Sequence, residues 1–158
     1  MKLYFLRHAD ALPGVDDAAR PLSPFGRKQS RKLGRFLKDA EIEFDAAYSS
    51  PLVRATETAG IVLKTLGSLS PRKLQITDAL LNETSETQFG QWLKGLPPAN
   101  HVLLVGHAPT LSERVAHLLG ANNAEALKLP KGALACLDTE DRRTASLKFF
   151  ITPKLLGI

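Results

Sequence analysis

Two short runs of this chain, Leu3-Tyr4-Phe5-Leu6 and Val102-Leu103-Leu104-Val105, are apolar at every position and stop abruptly. A strand with one face in water alternates apolar and polar residues, whereas an unbroken apolar run belongs to a strand covered on both faces. The chain must therefore bury at least two strands in the interior of a sheet, with helices above and below. Segments of helical period lie between the runs and supply those layers. Together they predict an α/β fold: a three-layer sandwich with a mostly parallel central sheet, helices on both faces and an antiparallel edge strand. At 158 residues, one domain spanning 1–158 is expected.

The spacing predicts strands over 2–6, 45–49, 73–76 and 101–105. Ser23-Pro24 forms a cap and first-turn pair for a helix over 24–39, in which Leu33, Phe36, Leu37 and Ala40 mark the apolar face. Ser50-Pro51 reads as a second such pair, opening a helix that stops near Gly67 and buries Ala55, Ala59, Val62, Leu63 and Leu66. Ser85 and Gln88 have capping-box spacing ahead of Phe89, Trp92, Leu93 and Leu96. A further helix starts near Pro109 with Leu111, Val115, Leu118 and Leu119 on its inner face. Segments 132–137 and 145–151 read as a hairpin at one sheet edge.

Hydrophobic residues make up 44% of the chain and charged residues 23%, an ordinary globular balance. No apolar run approaches a membrane span. The N-terminus leads straight into a strand, leaving no room for a signal peptide, so a cytoplasmic location is expected. A single cysteine, Cys136, excludes an internal disulfide and a cysteine-rich zinc site. The formal net charge is +5, with Arg27, Lys28, Arg31, Lys32, Arg35 and Lys38 gathered on one helix. Without interleaved aromatics this face argues against nucleic acid, and it suits an acidic or phosphorylated protein partner better.

The chemistry lies where the two buried runs end. Arg7-His8 follows the first and Gly106-His107 the second. If the strands are parallel neighbours, their ends lie about 5 Å apart and both imidazoles reach one small ligand. Arg54 stands in the first turn of the helix after Ser50, at its positive end. Two arginines, two histidines and a helix N-terminus form an anion pocket. A guanidinium grips a phosphoryl group bidentately, and a neutral imidazole is a nucleophile that takes it up.

Residues 7–9, Arg-His-Ala, resemble the Arg-His-Gly motif of the histidine phosphatase superfamily, which includes the phosphoglycerate mutases. The stretch Ser49-Ser50-Pro51-Leu52-Val53-Arg54-Ala55-Thr56-Glu57-Thr58-Ala59 is similar to its second motif, and Val105-Gly106-His107-Ala108-Pro109 to its third. Arg20-Pro21-Leu22-Ser23-Pro24-Phe25-Gly26 resembles a segment of the small SixA branch, the phosphohistidine phosphatases, where alanine after the histidine is common. The resemblance implies a phosphoglycerate mutase-like fold, His8 as nucleophile, and Arg7, Arg54 and His107 as phosphate ligands. It adds Arg20 as a further ligand from the following loop. No metal or other cofactor is expected.

The leaving group separates the possible substrates. A phosphoester needs an acid to protonate its alkoxide, whereas a protonated phosphoimidazole leaves with little help. In the mutase-like branches a glutamate just after a leucine-x pair does this work; the resemblance makes Glu83, in Leu81-Asn82-Glu83, the candidate acid, without the Gly-rich sequence that usually follows, and it is weighed against a solvated glutamate ahead of a helix. The expected partner is a phosphohistidine-bearing signalling or phosphotransfer protein. A small phosphoester is the enzymatic alternative, and a phosphoprotein-binding module with weak turnover is the other; a binder has no need of a nucleophilic histidine. The size is compatible with a monomer. Cys136 and Arg142 have the Cys-x5-Arg spacing of cysteine phosphatases, but three acids and no glycine lie between them, so that loop repels phosphate. His101 and His117 read as structural.

Overall fold

The computed structural model describes residues 1–158. Its strands are β1 (Lys2–Arg7), β2 (Ala46–Ser49), β3 (Gln75–Ile76), β4 (His101–Gly106), β5 (Leu134–Asp138) and β6 (Ser146–Ile151). Its α-helices are α1 (Pro24–Asp39), α2 (Val53–Leu66), α3 (Glu86–Gly95) and α4 (Thr110–Leu118). The six strands form one sheet in the order β3-β2-β4-β1-β5-β6. The pairs β2–β3, β2–β4 and β1–β4 are parallel, and β5 runs against both β1 and β6. The expected three-layer sandwich and antiparallel hairpin are therefore present.

The apolar runs occupy the middle of the sheet because neither face of them tolerates water. Leu3 and Phe5 of β1 join Val102 and Leu104 of β4 beneath Phe89 and Leu93 of α3 and Leu111 and Val115 of α4. The alternate residues Tyr4, Leu6, Leu103 and Val105 face Leu33 and Leu37 of α1 and Ala59, Val62 and Leu63 of α2. Burying each such Leu, Val or Phe contributes about 1.5–3 kcal/mol, so the β1–β4 pair is firmly held from both faces. Whatever follows these strands inherits that rigidity.

Local signals decide where elements begin. Ser23 caps α1 by accepting from the Gly26 N–H, and Ser85 and Gln88 form the expected capping box on α3. α2 ends where Gly67 takes a positive φ of 83°, a conformation open to glycine at no steric cost. Three expectations change. α2 begins at Val53 with Leu52 as its cap residue and no side-chain cap bond, so Ser50-Pro51 is not a cap and first-turn pair. The segment expected as a strand over 73–76 shortens to Gln75–Ile76, because Pro71–Lys73 forms a 3-10 turn. Asp45 precedes β2 and uses its carboxylate to accept from the Asn100 and His101 N–H groups, both at 2.8 Å.

Candidate active site

Register places the chemistry. Arg7 pairs with Gly106, so His8 and His107 leave adjacent parallel strands side by side, and their ring centroids lie 5.1 Å apart. The ladder continues past the strand ends: the His8 N–H donates to the Gly106 carbonyl at 3.0 Å and the Ser50 N–H to Val105 at 3.1 Å. Neighbouring strands thus present Ser50, His107 and His8 in spatial order along one sheet edge. Ligands bind outside the carboxyl ends of parallel strands in folds of this kind.

Each imidazole has an assignable tautomer. His8 Nδ1–H donates to its neighbour's carbonyl, Ala9 O, at 2.7 Å, which leaves the Nε2 lone pair as the ring's nucleophile. Ser50 Oγ lies 2.6 Å from His107 Nε2 and also receives the Leu52 N–H at 3.4 Å. The hydroxyl hydrogen is accordingly assigned to His107 Nε2, and His107 Nδ1 carries the ring hydrogen. Both rings are buried. Burial pushes His8 down to about 4, with the charges of Arg54, Arg7 and Lys131 adding and the Ala9 carbonyl opposing. His107 falls to about 3, again by burial first and then through His8, Arg54 and Arg7. Both are neutral at pH 7 in the unliganded protein.

The arginines approach from two directions. Arg7 ends β1 and anchors one Nη on the Leu129 carbonyl at 2.9 Å. Arg54 is the second residue of α2 and is buried; it donates to the Asp17 carbonyl at 2.8 Å and to the Asp17 carboxylate at 3.2 Å. The Nε of each arginine and His107 Nδ1 are buried without a hydrogen-bond partner. An unsatisfied buried donor costs about 1–3 kcal/mol, and three such N–H groups around one neutral imidazole favour an oxyanion.

The remaining expected residues lie further out. Arg20 donates from Nε to Asp17 at 3.1 Å and from Nη1 to the Leu12 carbonyl at 3.4 Å. It is linked to Arg54 only through the shared Asp17 carboxylate. Glu83 is exposed in the loop before α3, and its carboxylate makes no hydrogen bond or ion pair within the chain. That loop is nonetheless fastened beside His107: Asn82 Nδ2 donates to the Ala108 carbonyl at 2.9 Å, and the Thr110 hydroxyl to the Asn82 carbonyl at 3.3 Å.

Four participants emerge only in three dimensions. Ser50 orients His107. Asp17 occupies the outer side of Arg54, which holds its carboxyl below the usual carboxylate range. Thr58 accepts from the Ala9 N–H at 3.1 Å while donating to the Arg54 carbonyl at 2.6 Å, tying the His8 loop to α2. Gln29 accepts from the Asp10 N–H at 2.9 Å. The signal for Thr58 was its place four residues after Arg54, one helical turn on. Cys136 is buried within β5, and burial pushes its thiol up, so it has no reactive character. No cluster of three or more His, Cys, Asp or Glu side chains is arranged to hold a metal ion. A cleft of about 580 Å³ lined by Phe89, Leu93, His117 and Arg142 contains none of the site residues.

Comparison with known proteins gives the family and the fold. Residues 3–97 match the Histidine phosphatase superfamily (branch 1). The chain is 30% identical over 139 residues to an uncharacterized protein of Picosynechococcus, covering 85% of this chain and 82% of that one. It is 28% identical over 121 residues to the phosphohistidine phosphatase SixA of Escherichia coli, covering 75% and 74%. The solved structure of the protein histidine phosphatase SixA with tungstate superposes with a TM-score of 0.90 at 24% identity, over 99% of both chains. The α-ribazole phosphatase of Shigella flexneri shares the fold at a TM-score of 0.70 and 20% identity, over 97% of both chains. The chain belongs to the histidine phosphatase superfamily and is a phosphatase.

Proposed function

We propose that this phosphatase hydrolyses protein phosphohistidine through a covalent phosphoryl group on His8. One observation carries the reading: a neutral imidazole with its tautomer fixed by Ala9 sits among three buried N–H groups that lack partners. The His8 Nε2 lone pair attacks phosphorus and the new P–N bond forms, while the bond from phosphorus to the substrate ring, already protonated on its other nitrogen, breaks with its electron pair going to that ring, which leaves as neutral imidazole. Water then attacks the same phosphorus; the P–Nε2 bond breaks, inorganic phosphate leaves and His8 returns neutral. Arg7, Arg54 and His107 Nδ1–H stabilise the equatorial oxygens, where charge must be held throughout transfer. A bound phosphate also favours the protonated form of His107. Arg20 adds long-range positive charge at the mouth.

The substrate class rests on the leaving group. Glu83 is exposed and no contact within the chain aims its carboxylate, which suits a phosphoimidazole needing little acid assistance. The relative from Escherichia coli is a phosphohistidine phosphatase, which supports the same class. Phosphoester hydrolysis is the second reading, favoured by the anchoring of the Glu83 loop on Ala108. Turnover of free phosphohistidine, phosphoserine and a sugar phosphate by wild type and Glu83→Gln separates them. We expect phosphohistidine to give the highest kcat/KM and to be unaffected by the substitution, with residual phosphoester turnover falling roughly 10²-fold. A higher kcat/KM for phosphoserine would overturn the phosphohistidine reading. We place the enzyme in the cytoplasm on its single, buried, unpaired cysteine; no helix is long and apolar enough to cross a membrane.

A further inference from the structure

α1 carries a row of cations that the phosphate chemistry does not use. Lys28, Arg31, Arg35 and Lys38 are exposed and Lys32 half-exposed, on the side of the helix opposite the buried Gln29, Ser30, Leu33 and Leu37. None of the five forms a hydrogen bond or ion pair with the rest of the chain, whereas the adjacent Arg27 is held by Glu57 at 2.8 Å. From Lys28 to Lys38 the row runs about 15 Å. Helix stability does not account for it. Like charges three and four residues apart are mutually unfavourable, and cations toward the N-terminal half oppose the helix dipole. The first turn of α1 contains no acid to offset them.

The row begins at the catalytic mouth. Ser23, the cap of α1, donates to the Asp10 carboxylate at 2.6 Å, two residues beyond His8. Gly26 lies so close to this backbone that a Cβ there would fall 1.9 Å from the Asp10 carbonyl oxygen. The segment of chain that links His8 to the row exposes an apolar rim. Of the six exposed large hydrophobic residues in the chain, three fall between His8 and the row: Leu12, Val15 and Phe25.

We infer that this cationic face and its apolar rim are a docking surface for an acidic protein, the carrier of the phosphohistidine that reaches His8. The inference rests on the phosphohistidine reading above. An apolar patch with charged surroundings is the anatomy of a protein interface. A membrane-surface helix would instead turn its apolar face to lipid, and that face of α1 is spent on the core. Nucleic acid would use aromatics to stack on, and Phe25 stands alone. Complementary charge acts chiefly on encounter, raising the association rate by 10–10³-fold at low ionic strength.

Two peptides of about a dozen residues, each with one phosphohistidine flanked by either glutamates or lysines, test the surface alongside free phosphohistidine. An extended dozen-residue chain spans about 40 Å, enough to follow the row. We expect kcat/KM roughly tenfold higher for the glutamate peptide at low salt, with the difference vanishing at about 1 M salt, where the Debye length is about 3 Å. The variant K28E/R31E/R35E should reverse the preference and turn over free phosphohistidine unchanged. Should it fail to fold, K28Q/R31Q/R35Q abolishes the preference instead of reversing it. Fluorescence anisotropy of the same peptides on His8→Ala protein reads docking apart from chemistry. Turnover without a glutamate–lysine contrast, a contrast that survives the charge variants, or tighter binding to anionic vesicles or duplex DNA than to the glutamate peptide overturns the inference. A binding contrast without phosphohistidine turnover supports the surface and sinks the catalytic reading alone.

Discussion

Ser50 Oγ lies 2.6 Å from His107 Nε2, and this contact determines which nitrogen of His107 faces the reaction as a donor. Ser50→Ala leaves Nε2 buried without a partner and frees the ring to take the other tautomer. We predict a loss of roughly 5- to 100-fold in kcat/KM, the equivalent of about 1–3 kcal/mol. Steady-state kinetics check it, with Ser50→Thr restoring activity because the hydroxyl remains.

Asp17 is the one carboxylate that touches Arg54, and it bridges to Arg20 through its other oxygen. A phosphoryl oxygen and this carboxylate compete for the same guanidinium. Asp17→Asn keeps the backbone carbonyl that anchors Arg54 Nη1 while removing a negative charge from the mouth. Inorganic phosphate should then inhibit several-fold more tightly, a charge effect that weakens as salt is added. An unchanged or weaker inhibition constant contradicts this role for Asp17.

The depressed histidines make the acid side of the pH profile informative. His8 sits at about 4 instead of its usual 6.5, so kcat/KM should hold as pH falls through 6.5 and decline only near 4. Stability behaves differently. Above pH 6.5 both histidines are neutral in the folded and unfolded chain; between 6.5 and about 4 the unfolded chain takes up protons that the folded chain does not, so stability drops as pH falls. Melting temperature against pH measures this, and His107→Asn, which cannot titrate, should flatten the slope.

Arg7, His8 and His107 were legible in the sequence because each follows a run apolar on both faces, and the sheet then dictates where the next side chain goes. The caps of α1 and α3 were legible for a similar reason: Ser23 and Ser85 bond backbone within three residues of themselves. Ser50 was not. Its Ser-Pro sequence has the form of a cap, but its hydroxyl is claimed by an imidazole 57 residues away, a choice made by tertiary packing. Asp17 was missed because an exposed acid in a polar loop has no local pattern. The position of Glu83 before α3 was readable, whereas its relation to His107 depends on the bond from Asn82 to Ala108.

The central claim is that phosphate passes through His8. Rapid acid-free quenching of the enzyme with a phosphodonor, followed by peptide mass spectrometry, tests it most directly. We predict one phosphoryl group on the peptide containing His8, labile to acid and stable to base, absent in His8→Ala, with that variant losing turnover at least 10³-fold. A label on any other residue, or full turnover by His8→Ala, would contradict the account.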